Sequence, residues 1–323
     1  MTNTGTGLVG DIGGTNCRFA LTQAGATALE DPFSYRGADF ANILDAIEAY
    51  LARHAPRPHL QWAVIAAAGP IVENTVRLTN RAWHVSGPEI SERFHIPHVR
   101  LVNDFSALAA ATPHVEAPHL IALGGGQRED SGGVWTSAII GPGTGLGVGG
   151  VVRGPSGTAI LATEGGHSSF APQDDIEREI VRLLATRFDH ISNERLLCGD
   201  GLKNIRWALS TIRGVEPETL RASEISRRAA ARSDPVCVEA LSVFSHALGA
   251  FGGDAVLMLG ARAGLYIAGG MVPALLDAFD RDGFRSRFEA KGRFRPYMEQ
   301  VPAWLMVHPF AALKGAAAMA MWS

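Results

Sequence analysis

The residues Asp11-Ile12-Gly13-Gly14-Thr15-Asn16 combine an acid, two adjacent glycines, a hydroxyl and an amide. That set suits phosphate. Gly13 and Gly14 can enter a tight turn with positive φ, and without side chains they leave main-chain N–H groups open to an anion. Asp11 follows Leu8-Val9-Gly10 at the expected end of a strand, where its carboxylate could hold Mg²⁺ through water. By themselves these residues also fit an ordinary β-turn. A second glycine-rich stretch, Gly141-Pro142-Gly143-Thr144-Gly145-Leu146-Gly147, offers similar chemistry, with Thr144 supplying the hydroxyl. Gly145, Gly147 and Gly150 match the spacing of a dinucleotide fingerprint, which needs its last glycine to open a helix. Here Val151-Val152 continues a strand, so that reading is set aside. A third site, Ile267-Ala268-Gly269-Gly270-Met271-Val272-Pro273, ends a strand on two glycines and starts a helix. It suits a flat ring or a ribose, or is simply a tight strand-to-helix turn.

Carboxylates supply the second kind of chemistry. Asn103-Asp104 lies where a strand meets a helix, so Asp104 is either a helix N-cap or a general base. A hydroxyl is a poor nucleophile at neutral pH, and a base that takes its proton contributes about 10²–10⁴-fold. Glu164-Gly165-Gly166-His167 sets a carboxylate and an imidazole on a glycine-loosened turn. They could bind a metal, hydrogen-bond vicinal hydroxyls, or serve the fold alone; with no third ligand nearby, the zinc reading is weak. Glu194 follows Ser192-Asn193, a pattern that also fits a capped helix start with an acid in its first turn. Leu78-Thr79-Asn80 is a plausible binding turn.

These groups need strands ending in glycine turns, with helices behind them. The periodicity predicts a hairpin over Leu8–Ala20, a helix over Asp39–His54, a buried strand over Trp62–Ala68, and a strand Val99–Val102 leading into a helix. Strands over Trp135–Ile140 and Val148–Val152 flank the second glycine stretch. Long helices are predicted over Ile176–Phe188 and Val236–Leu259. A strand Leu265–Ala268, a helix opened by Pro273, a strand Trp304–Val307 and a helix Leu313–Met321 follow. Strands alternating with helices indicate an α/β fold. Leu8–Thr15 and Ile139–Gly145 also echo one another, as two related halves would.

Composition removes other classes. The chain has 323 residues, 46% hydrophobic and 19% charged, with a formal net charge of −3, so it offers no basic field for nucleic acid or an anionic membrane. Its start carries neither a charged nor an apolar leader region, and Ala255–Val272 is a poor membrane span because Arg262 and glycines interrupt it. Cys17, Cys198 and Cys237 form neither zinc spacing nor a disulfide framework, which fits a reducing cytoplasm. Lysines occur only at Lys203, Lys291 and Lys314, none in a Walker A loop.

Taken in order, these motifs resemble the sugar kinases of the hexokinase, actin and heat-shock ATPase superfamily. Leu78-Thr79-Asn80, Asn103-Asp104-Phe105, Glu164 to Pro172, Ser192 to Arg195 and Ile267 to Gly270 are most similar to the bacterial glucokinase family of proteobacterial and cyanobacterial type. The resemblance runs from Leu8 to the C-terminus. It implies a two-lobed actin-like ATPase (ribonuclease H-like) fold, each lobe a mixed sheet with flanking helices around an active-site cleft that closes on the sugar. The expected domains are 1–114 plus 308–323 and 115–307. It further implies transfer of phosphate from ATP, with Mg²⁺, to the 6-hydroxyl of glucose, with Asp104 as base. Asn80, Asn103, Glu164, His167 and Glu194 would hold the sugar. Gly10, Asp11, Ile12, Gly13, Gly14 and Thr15, with Gly141, Gly143, Thr144 and Gly145, would hold phosphates, and Gly269-Gly270 the adenosine. A cytoplasmic homodimer, bound to neither nucleic acid nor membrane, is expected. The alternatives are a kinase for another hexose or an N-acetylhexosamine, and a non-catalytic nucleotide-binding sugar sensor.

Overall fold

Thr6–Ile12 (β1) and Asn16–Gln23 (β2) close an antiparallel hairpin, and Glu30–Arg36 (β3) pairs along the outer side of β2. The computed structural model describes residues 5–78, 82–127, 133–155 and 157–321. Ile43–Leu51 (α1) follows, then the strand Trp62–Ala67 (β4). Every residue of β4 is buried. It runs parallel between β1 and His98–Asn103 (β7), so both its faces are covered and its sequence is continuously apolar. Between β4 and β7 lie a small hairpin, Thr75–Arg77 (β5) and His84–Ser86 (β6), and the helix Gly87–Phe94 (α2). Asp104–Ala111 (α3) leaves the end of β7. The five-stranded sheet has the order β3-β2-β1-β4-β7. Leu8, Ile12, Phe19 and Ile65 on one face pack with Ile43, Ile47 and Leu51 of α1.

The second sheet is assembled from Leu120–Ala122 (β8), Trp135–Pro142 (β9), Leu146–Gly154 (β10) and Gly157–Thr163 (β11). The helices Asp175–Leu184 (α4), Gly199–Ile212 (α5), Ala222–Ala230 (α6) and Pro235–Leu259 (α7) come next. Leu265–Ile267 (β12), Met271–Leu275 (α8), Arg281–Glu289 (α9), Arg295–Gln300 (α10) and Ala303–Met306 (β13) complete this part. Strand order is β11-β10-β9-β12-β13-β8. The helix α7 is long and apolar enough to cross a membrane, but 78% of its most apolar window is buried, with Phe244, Leu248 and Val256 in the core beside Phe284 and Phe288. The last helix, Ala311–Ala320 (α11), returns to the first sheet. Val9, Val64 and Val102 on that sheet's other face pack against Ala107, Leu313, Ala316 and Ala317 of α3 and α11.

By contacts the chain forms two units, Met1–His119 with Gly157–Ile160 and His308–Ser323, and Leu120–Ser156 with Leu161–Val307. Each unit has its own core.

Several predicted elements change extent. The helix expected over Asp39–His54 starts only at Ile43, because the Asn42 side chain accepts from Asp45 N–H and caps it there. The helix after Gly270 opens at Met271, so Pro273 lies inside its first turn. The strands around the second glycine stretch run to Pro142 and resume at Leu146, which shortens the loop to three residues.

Candidate active site

In the first unit, Asp104 is the first residue of α3, and the helix is capped by its neighbour. Asn103 Oδ1 accepts from Phe105 N–H and Ser106 N–H at 3.0 and 3.1 Å. The N-cap reading entertained for Asp104 therefore belongs to Asn103, which keeps only its Nδ2, 3.5 Å from Gly69 O, for other work. Asp104 Oδ1 accepts from Phe105 N–H at 2.8 Å, and Oδ2 has no hydrogen-bond partner among the described residues. Burial pushes the Asp104 carboxyl above its usual range, and the negative charge of Asp11 adds to that shift. A base with a raised pKa is a stronger proton acceptor once ionised.

Asp11 lies inside β1 rather than at its end, opposite Arg18 of β2. Its Oδ2 pairs with Arg18 Nη1 at 2.7 Å. Burial raises the Asp11 carboxyl, against the opposing pull of that guanidinium. The turn after it uses no positive φ at Gly13, contrary to expectation, and Gly13 N–H donates to Asn16 O at 3.0 Å instead of facing outward. A Cβ at Gly13 would meet nothing nearer than Asn16 O at 3.6 Å. Protein packing does not demand a glycine there, so open space is what the residue keeps.

In the second unit the shortened loop is Gly143-Thr144-Gly145. Gly143 N–H closes onto Gly145 O at 2.8 Å, while Thr144 and Gly145 N–H have no hydrogen-bond partner among the described residues. A Cβ at Gly143 would find open space, with only Gly145 O 4.0 Å away. Gly141 lies within β9, paired with Gly147. Gly145 differs from Gly143: a Cβ there would lie 2.5 Å from Glu194 Oε2.

Glu194 accounts for that contact. It sits in a short 3-10 turn, Asn193–Arg195, with Ser192 at the cap position but making no side-chain cap bond. The expected role of a helix-dipole acid is thus not the one found. Glu194 Oε2 accepts from Leu146 N–H at 2.8 Å, and Oε1 lies 4.0 Å from His167 Nδ1. Asn193 fixes the turn by donating to Ser168 O from both its backbone and its Nδ2. Glu164 and His167 bracket the 3-10 turn Gly165–His167 with exposed side chains, and Gly166 passes so near Leu146 O that a Cβ would lie 2.1 Å from it. The Glu194 carboxylate and the His167 imidazole are thereby brought together beside the glycine loop. The link from Glu194 to Leu146 joins residues far apart in sequence, and no local pattern signals it.

Gly269 has φ of 87°, a conformation suited to glycine, and lies close to the end of β9, where a Cβ would be 3.0 Å from Pro142 O. A Cβ at Gly270 would meet nothing within 4 Å. Beyond these glycines α8 and α6 line a cavity of about 530 Å³, among them Ser226, Arg227, Ala230, Met271, Ala274 and Leu275. The charge-rich α6 carries little apolar periodicity, and the sequence did not point to it. Asn80 lies outside the described residues.

The chain is 40% identical over 310 residues to the glucokinase of Hahella chejuensis, covering 96% of this chain and 95% of that one. It is 42% identical over 319 residues to the glucokinase of a Caulobacter species, covering 98% and 95%. The crystal structure of glucokinase from an Antarctic psychrotroph superposes with a TM-score of 0.89 at 34% identity, covering 98% of this chain and 99% of that one. The fold is accordingly that of the actin-like ATPases. The glucokinase family model matches residues 8–322, and with relatives this close along nearly its full length the chain belongs to the glucokinase family.

Proposed function

We propose that Asp104 is the general base in this chain's phosphorylation of glucose. Family membership supplies the reaction, ATP-dependent transfer of a phosphoryl group to glucose. The observation that carries the assignment is the geometry of Asp104: one carboxylate oxygen is fixed by Phe105 N–H, the other is unengaged, and burial with Asp11 raises its proton affinity. In this reading Oδ2 accepts the 6-hydroxyl proton as the oxygen bonds to phosphorus. Asn103 donates from Nδ2 to a ring hydroxyl while its Oδ1 caps α3. Glu164, His167 and Glu194 take further hydroxyls. Asn80 is retained as a sugar ligand on the resemblance alone.

For phosphate, the open backbone is in the second loop, where Thr144 and Gly145 N–H would be the donors, with Gly141 and Gly143 beside them. Gly10 to Thr15 are retained as the other cradle on the resemblance alone. Asp11 suits Mg²⁺ held through water: it is buried, and among the described residues its Oδ1 is unengaged and Arg18 alone pairs with it directly, while a second acid stands near. The ion, when bound, offsets the charge of the transferring phosphate. The nucleoside lies along Gly269-Gly270, with the cavity of α6 and α8 accepting its apolar faces. A homodimer, a cytoplasmic setting, and a small domain distinct from a large one belong to the same reading.

Sugar-dependent ADP formation from MgATP tests the substrate, measured across glucose, mannose, fructose, N-acetylglucosamine and N-acetylmannosamine. Turnover with glucose well above the others is expected. Preference for another sugar would overturn the substrate while leaving the base assignment to the Asp104 variant.

A further inference from the structure

Three residues of the first unit converge without any part in phosphoryl transfer. Glu116, His119 and His308 each present one ligand atom, and these atoms all lie within 4.8 Å of one another. Two of the three are prepared for a cation. His119 Nδ1 is buried and has no hydrogen-bond partner among the described residues; Glu116 Oε2, at 3.8 Å, is too far for one. Glu116 is oriented from behind, because the buried Lys314 Nζ donates to its Oε1 at 2.5 Å and leaves Oε2 toward the imidazole. An outer hydrogen bond of this kind is how ligating carboxylates are ordinarily held.

His308 completes the set at a cost. Its ring stacks edge-on near His119, centroids 4.4 Å apart, and its Nδ1 accepts from Phe310 N–H at 3.0 Å. Ligation through Nε2 moves the ring proton to Nδ1 and gives up the Phe310 bond; ligation through Nδ1 gives up the same bond. Either way one backbone hydrogen bond is exchanged for a metal–nitrogen bond. Ligand atoms around a tetrahedral Zn²⁺ stand about 3.3 Å apart, so the cluster needs side-chain closure of roughly 1–2 Å and no change of fold.

We infer that Glu116, His119 and His308 form a three-ligand site for Zn²⁺ or a similar borderline divalent cation, with water in the fourth position. Two imidazoles and a carboxylate match such ions. Mg²⁺, which takes oxygen ligands in octahedral geometry, does not compete for them. The position gives the site a purpose. His119 ends the first and longest segment of the first unit, and His308 begins that unit's last segment. The ion ties these two points of the chain together.

The test is a titration of EDTA-treated full-length enzyme with Co²⁺ in millimolar Mg²⁺, read by visible absorption and by calorimetry. One Co²⁺ per chain is expected, with the ligand-field bands of a four- or five-coordinate ion, displaced by Zn²⁺. His119→Gln and His308→Gln are each expected to weaken binding at least tenfold and to keep wild-type circular dichroism. Glu116→Gln is avoided because Lys314 depends on that carboxylate. The inference fails if no stoichiometric Co²⁺ binds, or if both variants bind as wild type does. It also fails if the spectrum shows sulfur-to-cobalt charge transfer, which would put the ion on Cys17, Cys198 or Cys237. Should either variant misfold, the wild-type stoichiometry and spectrum decide.

Discussion

At Asp104, the proposed role as base and the stability of the fold oppose one another. A carboxyl whose folded-state pKa is raised stabilises the fold while protonated and loses that contribution as pH rises through the raised value. At neutral pH the ionised Asp104, close to the charge of Asp11, therefore costs stability. Asp104→Asn is expected to lower kcat by about 10²–10⁴-fold while glucose still binds, and to raise the thermal midpoint by about 2–4 °C for each kcal/mol recovered. A variant keeping a tenth of wild-type kcat would overturn the assignment. The acid limb of kcat/KM is expected to lie above the ordinary aspartate value of about 3.9 and to vanish in the same variant. Gly145 and Glu194 make a second pair. A Cβ at Gly145 would displace the Glu194 carboxylate from Leu146 N–H. Gly145→Ala is expected to lower kcat/KM for glucose about tenfold or more, roughly 1.4 kcal/mol. Combined with Glu194→Gln the loss should fall short of the sum, because both changes disable one interaction.

The elements that aim these residues depend on close packing behind them. α3, which carries Asp104, lies against α11, where a Cβ at Gly315 would come within 1.7 Å of Ala107 O. Gly315→Ala must push the helices apart, an overpacking cost of about 1–3 kcal/mol or more. Denaturant midpoints should fall, and kcat should fall with them as α3 shifts. Asn103→Ala removes the cap of the same helix and is expected to cost about 0.5–2 kcal/mol. The sequence was most legible where pattern and chemistry coincide: the β1–β2 hairpin, β7 running into α3, the two strands flanking Gly143 to Gly145, and the apolar α7. It was least legible for α6 and α9, whose arginines and acids hide the few apolar residues that face the core. Roles shared between neighbours were also hidden. Asn103 and Asp104 are both good caps, and only the β-region backbone of Asn103 decides which one serves. The contact made by Glu194 is hidden for another reason, since its partner Leu146 comes from a different strand–turn unit.

For the whole molecule, a net charge of −3 offers no field to attract polyanions. The homodimer expected from the family is checked by sedimentation equilibrium, which should return twice the chain mass across a dilution series. A single-chain mass at all concentrations would remove it. The order in which the chain visits its two units sets a timetable for biosynthesis. The first sheet is made before the second unit, yet one of its faces is covered by α11, which is made after that unit. Between His119 and His308 the ribosome must translate Leu120 through Val307, roughly 10–40 s at bacterial-range elongation rates. During that interval Val9, Val64 and Val102 lack the Leu313, Ala316 and Ala317 that cover them in the finished protein. A nascent chain of this enzyme thus emerges with an unfinished apolar face, a natural client for a ribosome-associated chaperone. Deleting α11 would make that transient exposure permanent.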